Sequence, residues 1–296
     1  MTTPPTVADA TTWTRVPRDV VEVRGPDAVG FLQGQCSQDL AGLAVGASAW
    51  TFVLQPVGKL DAVARATRVA DDAMLLDTEA GQGPALLARL RRFKLRVKLD
   101  LVDHEGWSAV LVRGPQAATV AAGLGGRVVV GWWGSLREPD VIGAPGTVAD
   151  PPGDPMDLTA ARVRAGWPLF GAELTTDTIP GESGLVSEAV SFRKGCYTGQ
   201  ELVARVDSRG NNVPRRVCRL AGDGPLAMGP LFDHDGTELG RVTSIAGSAG
   251  LGMIGRAAPV GAVLEQRAGV GSAPVRVTVL AQREEPGEPA AGSSPS

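Results

Sequence analysis

The chain is poor in the residues that most directly carry chemistry. Its 296 residues include three cysteines, two histidines and one tyrosine. The thiols, Cys36, Cys196 and Cys218, are scattered, and no two stand in C-x-x-C spacing. A [4Fe–4S] cluster takes four thiolates, so any cluster here would need ligands from elsewhere. With only His104 and His234 to add, no stable metal centre is expected. The odd cysteine count argues against a disulfide framework. The net charge of −3 is small for this length, which excludes a whole-protein field that draws the chain to nucleic acid or to an acidic membrane. Long apolar runs are missing too. "VAAGLGGRVVVGWWG" (120–134) is broken by glycine and falls short of the roughly 20 residues a spanning helix needs. The start, "MTTPPTVADATTW", has neither the basic nor the apolar region of a secretory signal. The expectation is a cytoplasmic protein with no membrane partner.

What is present is an ordinary globular composition, 43% hydrophobic and 21% charged. The length exceeds one compact core, so two or three modules are expected. Residues 1–13 and 284–296 are rich in Pro, Ser, Thr, Gly and Ala and are expected as disordered tails. Residues 14–210 read as α+β. "DVVEVRG" is a strand, and Pro26 opens a helix with Ala28, Phe31 and Leu32 on its apolar face. "SAWTFVLQ" and "LDAVARATRV" flank the turn "PVGK" as a hairpin. "AMLLDTE" is a strand, "GPALLARLRRF" an amphipathic helix, and "RVKLDLVD" returns as a strand. The order strand–Gly-Pro–helix then recurs: "VEVRGPDAV" at 21–29 matches "VLVRGPQAA" at 110–118. This predicts two interlocked halves built on one plan. After the polar stretch "SRGNNVP" (208–214), short apolar runs separated by Gly and Pro predict a β-barrel domain over 211–283.

The chemistry concentrates in "SFRKGCYTGQELVAR" (191–205). Two glycines four apart make "GCYTG" a turn, and "QELVARV" continues as a helix with Glu201 in its first turn. Cys196 then precedes a helix N-terminus beside Arg193 and Lys194, a setting that favours thiolate over thiol. The alternative is a small buried hydrophobe, the common fate of free cysteine. Cys36, after a helix face, and Cys218, inside a strand pattern, read as structural. A cysteine–histidine dyad lacks support, because His104 and His234 both lie in turn-like contexts.

"KGCYTGQELVAR" resembles the signature of YgfZ-type proteins, folate-binding relatives of the glycine-cleavage aminomethyltransferase (T-protein). "FLQGQCSQDL" (31–40) and "ARVRAGWPLFGAEL" (161–174) are similar to other segments of that family, which includes mitochondrial iron–sulfur assembly factors. The resemblance spans roughly residues 14–283. It implies an α+β, T-protein-like folate-binding fold, a three-part ring ending in a β-barrel. It further implies a tetrahydrofolate ligand or a derivative, and iron–sulfur client or carrier proteins as partners. Cys196 becomes the functional thiol and a transient cluster ligand. Lys194, Tyr197, Gln200, Glu201 and Arg205, with Lys59 from the hairpin and the aromatics Trp167 and Phe192, become the folate-binding set. Asp61 aligns loosely with the T-protein's catalytic aspartate and reads equally as an outward strand residue. Arg164 stands where the T-protein carries a pterin-binding glutamate, a departure from the pattern.

Three functions follow. The first is a folate-binding accessory factor, outside the classical enzymes, that serves cluster assembly or repair in clients such as tRNA-modifying enzymes. The second is a tetrahydrofolate-dependent aminomethyl- or methyl-transferase. The third is a folate- or tRNA-binding module without thiol chemistry. The basic run "RLRRFKLRVK" (89–98) reads as a docking site for tRNA or an acidic partner, or as a solvated face. Its slight aromatic content and the acidic total favour the solvated face.

Overall fold

A computed structural model describes residues 11–153, 155–267 and 274–283. The chain opens with β1 (Thr12–Arg24), α1 (Ala28–Gln35), β2 (Ser48–Leu54), β3 (Leu60–Ala70), β4 (Ala73–Glu79) and α2 (Gly83–Phe93). It continues through β5 (Asp100–His104), β6 (Ser108–Arg113), α3 (Ala117–Ala122), β7 (Arg127–Val129) and β8 (Asp140–Gly143). Three helices follow, α4 (Leu158–Ala165), α5 (Val186–Ala189) and α6 (Gln200–Ser208). The last strands are β9 (Arg215–Gly222), β10 (Gly229–Phe232), β11 (Glu238–Ala246), β12 (Ala249–Gly255), β13 (Val263–Gln266) and β14 (Val275–Leu280).

Two compact units result: residues 1–158 with 169–213, and residues 159–168 with 214–296. The first unit is organised around β1. Its C-terminal half, Arg18–Arg24, pairs antiparallel with β4, while Val20–Arg24 pairs with β5 on the other edge. Its N-terminal half, Thr12–Pro17, pairs with β6. The sheet runs β2-β3-β4-β1-β6-β8-β7. Alternation along the strand splits the core, as the two-residue period requires. Val21 and Val23 join Phe31 and Leu32 of α1 and Leu86 and Leu90 of α2, while Val20 joins Leu111, Val129 and Ile142.

The strand–Gly-Pro–helix repeat is a structural repeat. Gly25 (φ +130) follows β1 and Gly114 (φ +108) follows β6, and each carbonyl accepts from an alanine N–H three residues on, at 2.9 and 3.1 Å. A side chain at such φ is strained, which is why glycine recurs there.

The second unit is a closed six-stranded barrel, β10-β11-β12-β9-β14-β13, filled by residues such as Leu220, Leu231, Ile254 and Val277. Residues 159–168, read with the α+β region in the sequence, pack here. Arg162 Nη2 bonds Ser244 Oγ, and Gln282 Nε2 donates to Gly166 O at 3.1 Å.

Two expectations needed correction. The tail expected over 1–13 gives way to strand at Thr12, because β6 pairs with that residue; residues 1–10 and 284–296 lie outside the described residues. The strand expected over 96–103 starts at Asp100. Arg96 takes φ +56, and Lys98 is held from the side: its N–H donates to Asp27 Oδ2 at 2.7 Å.

Candidate functional site

The site lies in the first unit and is built from the C-terminal end of α1. There the chain leaves the helix through Gln35 and Cys36, and Ser37 and Gln38 turn it back. Segment 191–198 is stitched onto this turn at both ends. Ser191 N–H donates to Ser37 O at 3.0 Å, and Thr198 N–H donates to Gly34 O at 3.1 Å. Between them Lys194 Nζ donates to three carbonyls, Gln33 O and Cys36 O at 2.7 Å and Gln38 O at 2.8 Å. All three ammonium protons are thereby used, which is the full donor capacity of lysine. Burial pulls the Lys194 pKa below its ordinary value, against the opposing pull of Cys36 and Asp39. Lys194, expected to bind an anionic ligand, instead spends its ammonium on one carbonyl of the last turn of α1, Gln33 O, and on two of the turn that follows, Cys36 O and Gln38 O.

Ser37 and Gln38 complete the clamp. Ser37 Oγ donates to Ala189 O at 2.6 Å and accepts from Phe52 N–H, while Gln38 Nε2 donates to Glu188 O at 2.9 Å. None of Gln33, Ser37 and Gln38 was singled out in the sequence. They lie in the segment 31–40 quoted for its resemblance, where the local signal was two polar residues, Ser37 and Gln38, directly after an apolar helix face.

The clamp leaves Gly195 and Cys196 on the outside. Cys196 is exposed, whereas Cys36 and Cys218 are buried. A Cβ placed on Gly195 would meet nothing within 4 Å, so the space beside the thiol is open. The burial of Cys36 pushes its thiol up to about 12, despite the cations Lys194 and Arg89, and burial raises Cys218 as well. Tyr197 turns inward, 9% exposed, and burial pushes its hydroxyl up to about 12. Its N–H donates to Gln200 Oε1 at 3.2 Å, which ties the loop to the first residue of α6.

The β2–β3 hairpin closes the other flank. Gly199 (φ +81) and Gly58 (φ +88) meet backbone to backbone. A Cβ on Gly199 would come to 2.5 Å from Gln55 O, and one on Gly58 to 3.1 Å from Gly199 O. Lys59, the residue after Gly58, turns to a different loop, where its Nζ pairs with Asp177 Oδ1 at 2.8 Å. Asp61, on β3, is a quarter exposed and its Oδ2 accepts from Arg89 Nε at 3.0 Å. Arg89 also donates to Gln35 Oε1 and Leu54 O, both at 3.0 Å. Asp61 stands between buried Leu60 and Ala62 on β3, and its carboxylate is engaged by a cation the sequence did not assign to it.

The remaining predicted residues are placed as follows. Glu201 and Arg205 are exposed on α6, and Phe192 is 52% exposed, which makes it a surface ring and not a pocket wall. Trp167 is buried in the barrel unit, as is the backbone around it, and Arg164 is exposed on α4. Among the described residues no group of three or more His, Cys, Asp or Glu is arranged to hold a metal. No helix there is long and apolar enough to cross a membrane.

This architecture, an antiparallel α+β unit with a closed barrel, is the aminomethyltransferase-like fold. The aminomethyltransferase T of the glycine cleavage system from Bartonella henselae superposes with a TM-score of 0.74 at 21% identity, over 93% of this chain and 88% of that one. Residues 11–148 match the GCVT N-terminal domain family. An iron–sulfur cluster assembly factor IBA57 homolog from Mycosarcoma maydis is 30% identical over 264 residues, which is 76% of this chain and 63% of that protein. The tRNA-modifying protein YgfZ of Cronobacter sakazakii is 26% identical over 254 residues, 74% of this chain and 77% of that protein. An uncharacterised protein of Haemophilus influenzae is 29% identical over 197 residues, 65% of this chain and 67% of that protein. The chain is thus similar over most of its length to proteins named IBA57 and YgfZ, and its residues 11–148 carry the match to the GCVT N-terminal domain.

Proposed function

We propose that this protein is an accessory factor for the assembly or repair of iron–sulfur clusters in client enzymes, tRNA-modifying enzymes among them, and that Cys196 is its working thiol. One observation carries the reading: of three cysteines, the one inside the family-like motif is exposed, on a loop clamped at both ends. A sulfur offered on a fixed loop can reach a cluster held by another protein, and a thiolate is the ligand such a cluster takes. The names of the relatives support the same direction. The cluster is cargo here, so its ligands are shared with the partner.

A reduced folate is the proposed small-molecule ligand, on the strength of the fold. The residues named for it in the sequence do not assemble a folate pocket within this unit, since Lys194 is saturated and Phe192 faces outward. No step of the thiol chemistry is routed through it. Arg205, exposed on α6, is a cation still available to an anionic tail. The one-carbon transferase reading is weaker, because the Asp61 carboxylate it needs as a base is bonded to Arg89.

The decisive experiment compares wild type with Cys196→Ser in cells that lack the native protein, reading cluster content and activity of an iron–sulfur client. Loss of client clusters with Cys196→Ser supports the proposal; full support by the variant sinks it. Calorimetric titration with tetrahydrofolate tests the ligand separately. Saturable binding supports folate, and its absence removes folate while leaving the thiol reading in place.

A further inference from the structure

The last turn of α2 and the loop into β5 hold a second feature. Between residues 91 and 98 stand Arg91, Arg92, Lys94, Arg96 and Lys98, with no carboxylate, in a chain of net charge −3. Several other arginines of this unit are paired with carboxylates: Arg15 with Asp150, Arg18 and Arg65 with Asp77, Arg89 with Asp61 and Arg113 with Asp140. None of the five side chains from 91 to 98 makes an ion pair or a hydrogen bond among the described residues. A helix C-terminus welcomes cations, which accounts for Arg91 and Arg92. It does not account for Arg96 and Lys98, which lie beyond the helix.

The loop is held in place. Lys98 N–H donates to Asp27 Oδ2 at 2.7 Å, and Asp27 N–H returns a bond to Lys98 O at 3.3 Å. Gly25 lets the backbone at 98–99 approach, because a Cβ there would fall 2.7 Å from Lys98 O. Leu99 is buried, and Phe93 and Val97 pack against the core. Arg96 is kept at φ +56, a conformation that costs a non-glycine residue energy. Amid the cations Leu95 stands 74% exposed.

We propose that this surface docks an acidic protein segment that seats one apolar side chain against Leu95. Charge alone would also suit a nucleic-acid backbone. That alternative lacks an exposed aromatic for base stacking: the Phe93 ring is partly buried and lies 3.6 Å from the Arg89 guanidinium. An exposed leucine adds nothing to phosphate binding, whereas an apolar anchor ringed by charge is how a protein interface combines affinity with steering. The proposal does not rest on Cys196.

Fluorescence polarisation with the full chain tests it. The probes are a labelled 12-residue peptide of glutamates interspersed with leucines, the same peptide with serine for leucine, and a 12-nucleotide single-stranded RNA. At low salt the leucine peptide binds about tenfold tighter than the serine peptide. Leu95→Ser removes most of that difference, and the double variant Arg91→Glu, Arg96→Glu abolishes binding by both peptides. Neither variant changes the alkylation rate of Cys196. Equal binding of the two peptides, tighter binding of the RNA than of either, or no saturable peptide binding overturns the proposal.

Discussion

At the residue scale the three cysteines are chemically unequal because their surroundings are. With excess iodoacetamide at pH 8, the folded protein should take one label, on Cys196, and the denatured protein three; mass spectrometry of the intact chain distinguishes them. Labelling of Cys36 in the folded state would contradict its burial. Cys36 and Tyr197 also set an alkaline limit. Both have folded-state pKa values raised to about 12 by burial. Below their ordinary values both states keep the protons. As pH rises from about 9 toward 12 the unfolded chain loses protons that the folded chain retains, so stability falls, by up to about 1.4 kcal/mol per pH unit for each group. Denaturant titrations over that range should show the decline, and Cys36→Ala should make it shallower. The exposed thiol lay in a stretch that the sequence marked as a turn, bracketed by Gly195 and Gly199. The fate of Lys194 was hidden, because a four-carbon stem hides where its ammonium ends, and the carbonyls it meets are about 160 residues away in the chain.

At the element scale the thiol loop, the α1 turn and the β2–β3 hairpin form one assembly. Lys194→Met leaves three carbonyls without their donor and should cost about 3 kcal/mol, from typical values for charge-assisted bonds. Lys194→Arg should restore little, since a planar fork cannot point at three carbonyls as an ammonium does. Thermal melts read the stability, and the alkylation rate of Cys196 reads the loosening of the loop. Gly199→Ala combines a strained φ with a clash on Gln55 O and should cost about 2–3 kcal/mol in the same assay. Most strands and helices here were legible, because β2, β3 and β4 are bounded by turn residues and α2 carries a clean apolar face. Residues 96–99 were not. Val97 and Leu99 alternate as a strand would, but a clasp to Asp27, 71 residues away, decides their conformation.

At the scale of the whole molecule, the first unit contains a buried ion cluster that no local pattern announced. Arg65, 1% exposed, bonds both oxygens of Asp77 at 2.9 and 3.0 Å and Asp140 Oδ2 at 2.6 Å, and Arg18 adds a bond to Asp77. These residues sit on β1, β3, β4 and β8, so the cluster ties together strands from both copies of the repeated plan. Burial alone would raise the pKa of Asp77; Arg65 and Arg18 outweigh it and hold it below the usual carboxylate range. Its contribution is present above about pH 4 and is lost as pH falls through the lowered value. Asp77→Asn should cost about 3–5 kcal/mol at pH 7, because it leaves buried guanidinium groups short of a counter-charge. The penalty should shrink in acid, as denaturation at pH 7 and pH 3 would show. The repeat and the barrel were legible because each is written in local turn residues. The allocation of residues 159–168 to the barrel was not, because Ser244 and Gln282, which hold them, are far away in sequence.

The contact between Gly58 and Gly199 limits how the sulfur can work. A Cβ on Gly58 would meet the Leu202 side chain and Gly199 O, and one on Gly199 would meet Gln55 O, so neither position leaves room for a larger residue and the C-terminal foot of the thiol loop is pinned to the hairpin. A residue such as alanine at either glycine would wedge the hairpin and the loop apart, three residues from the exposed thiol.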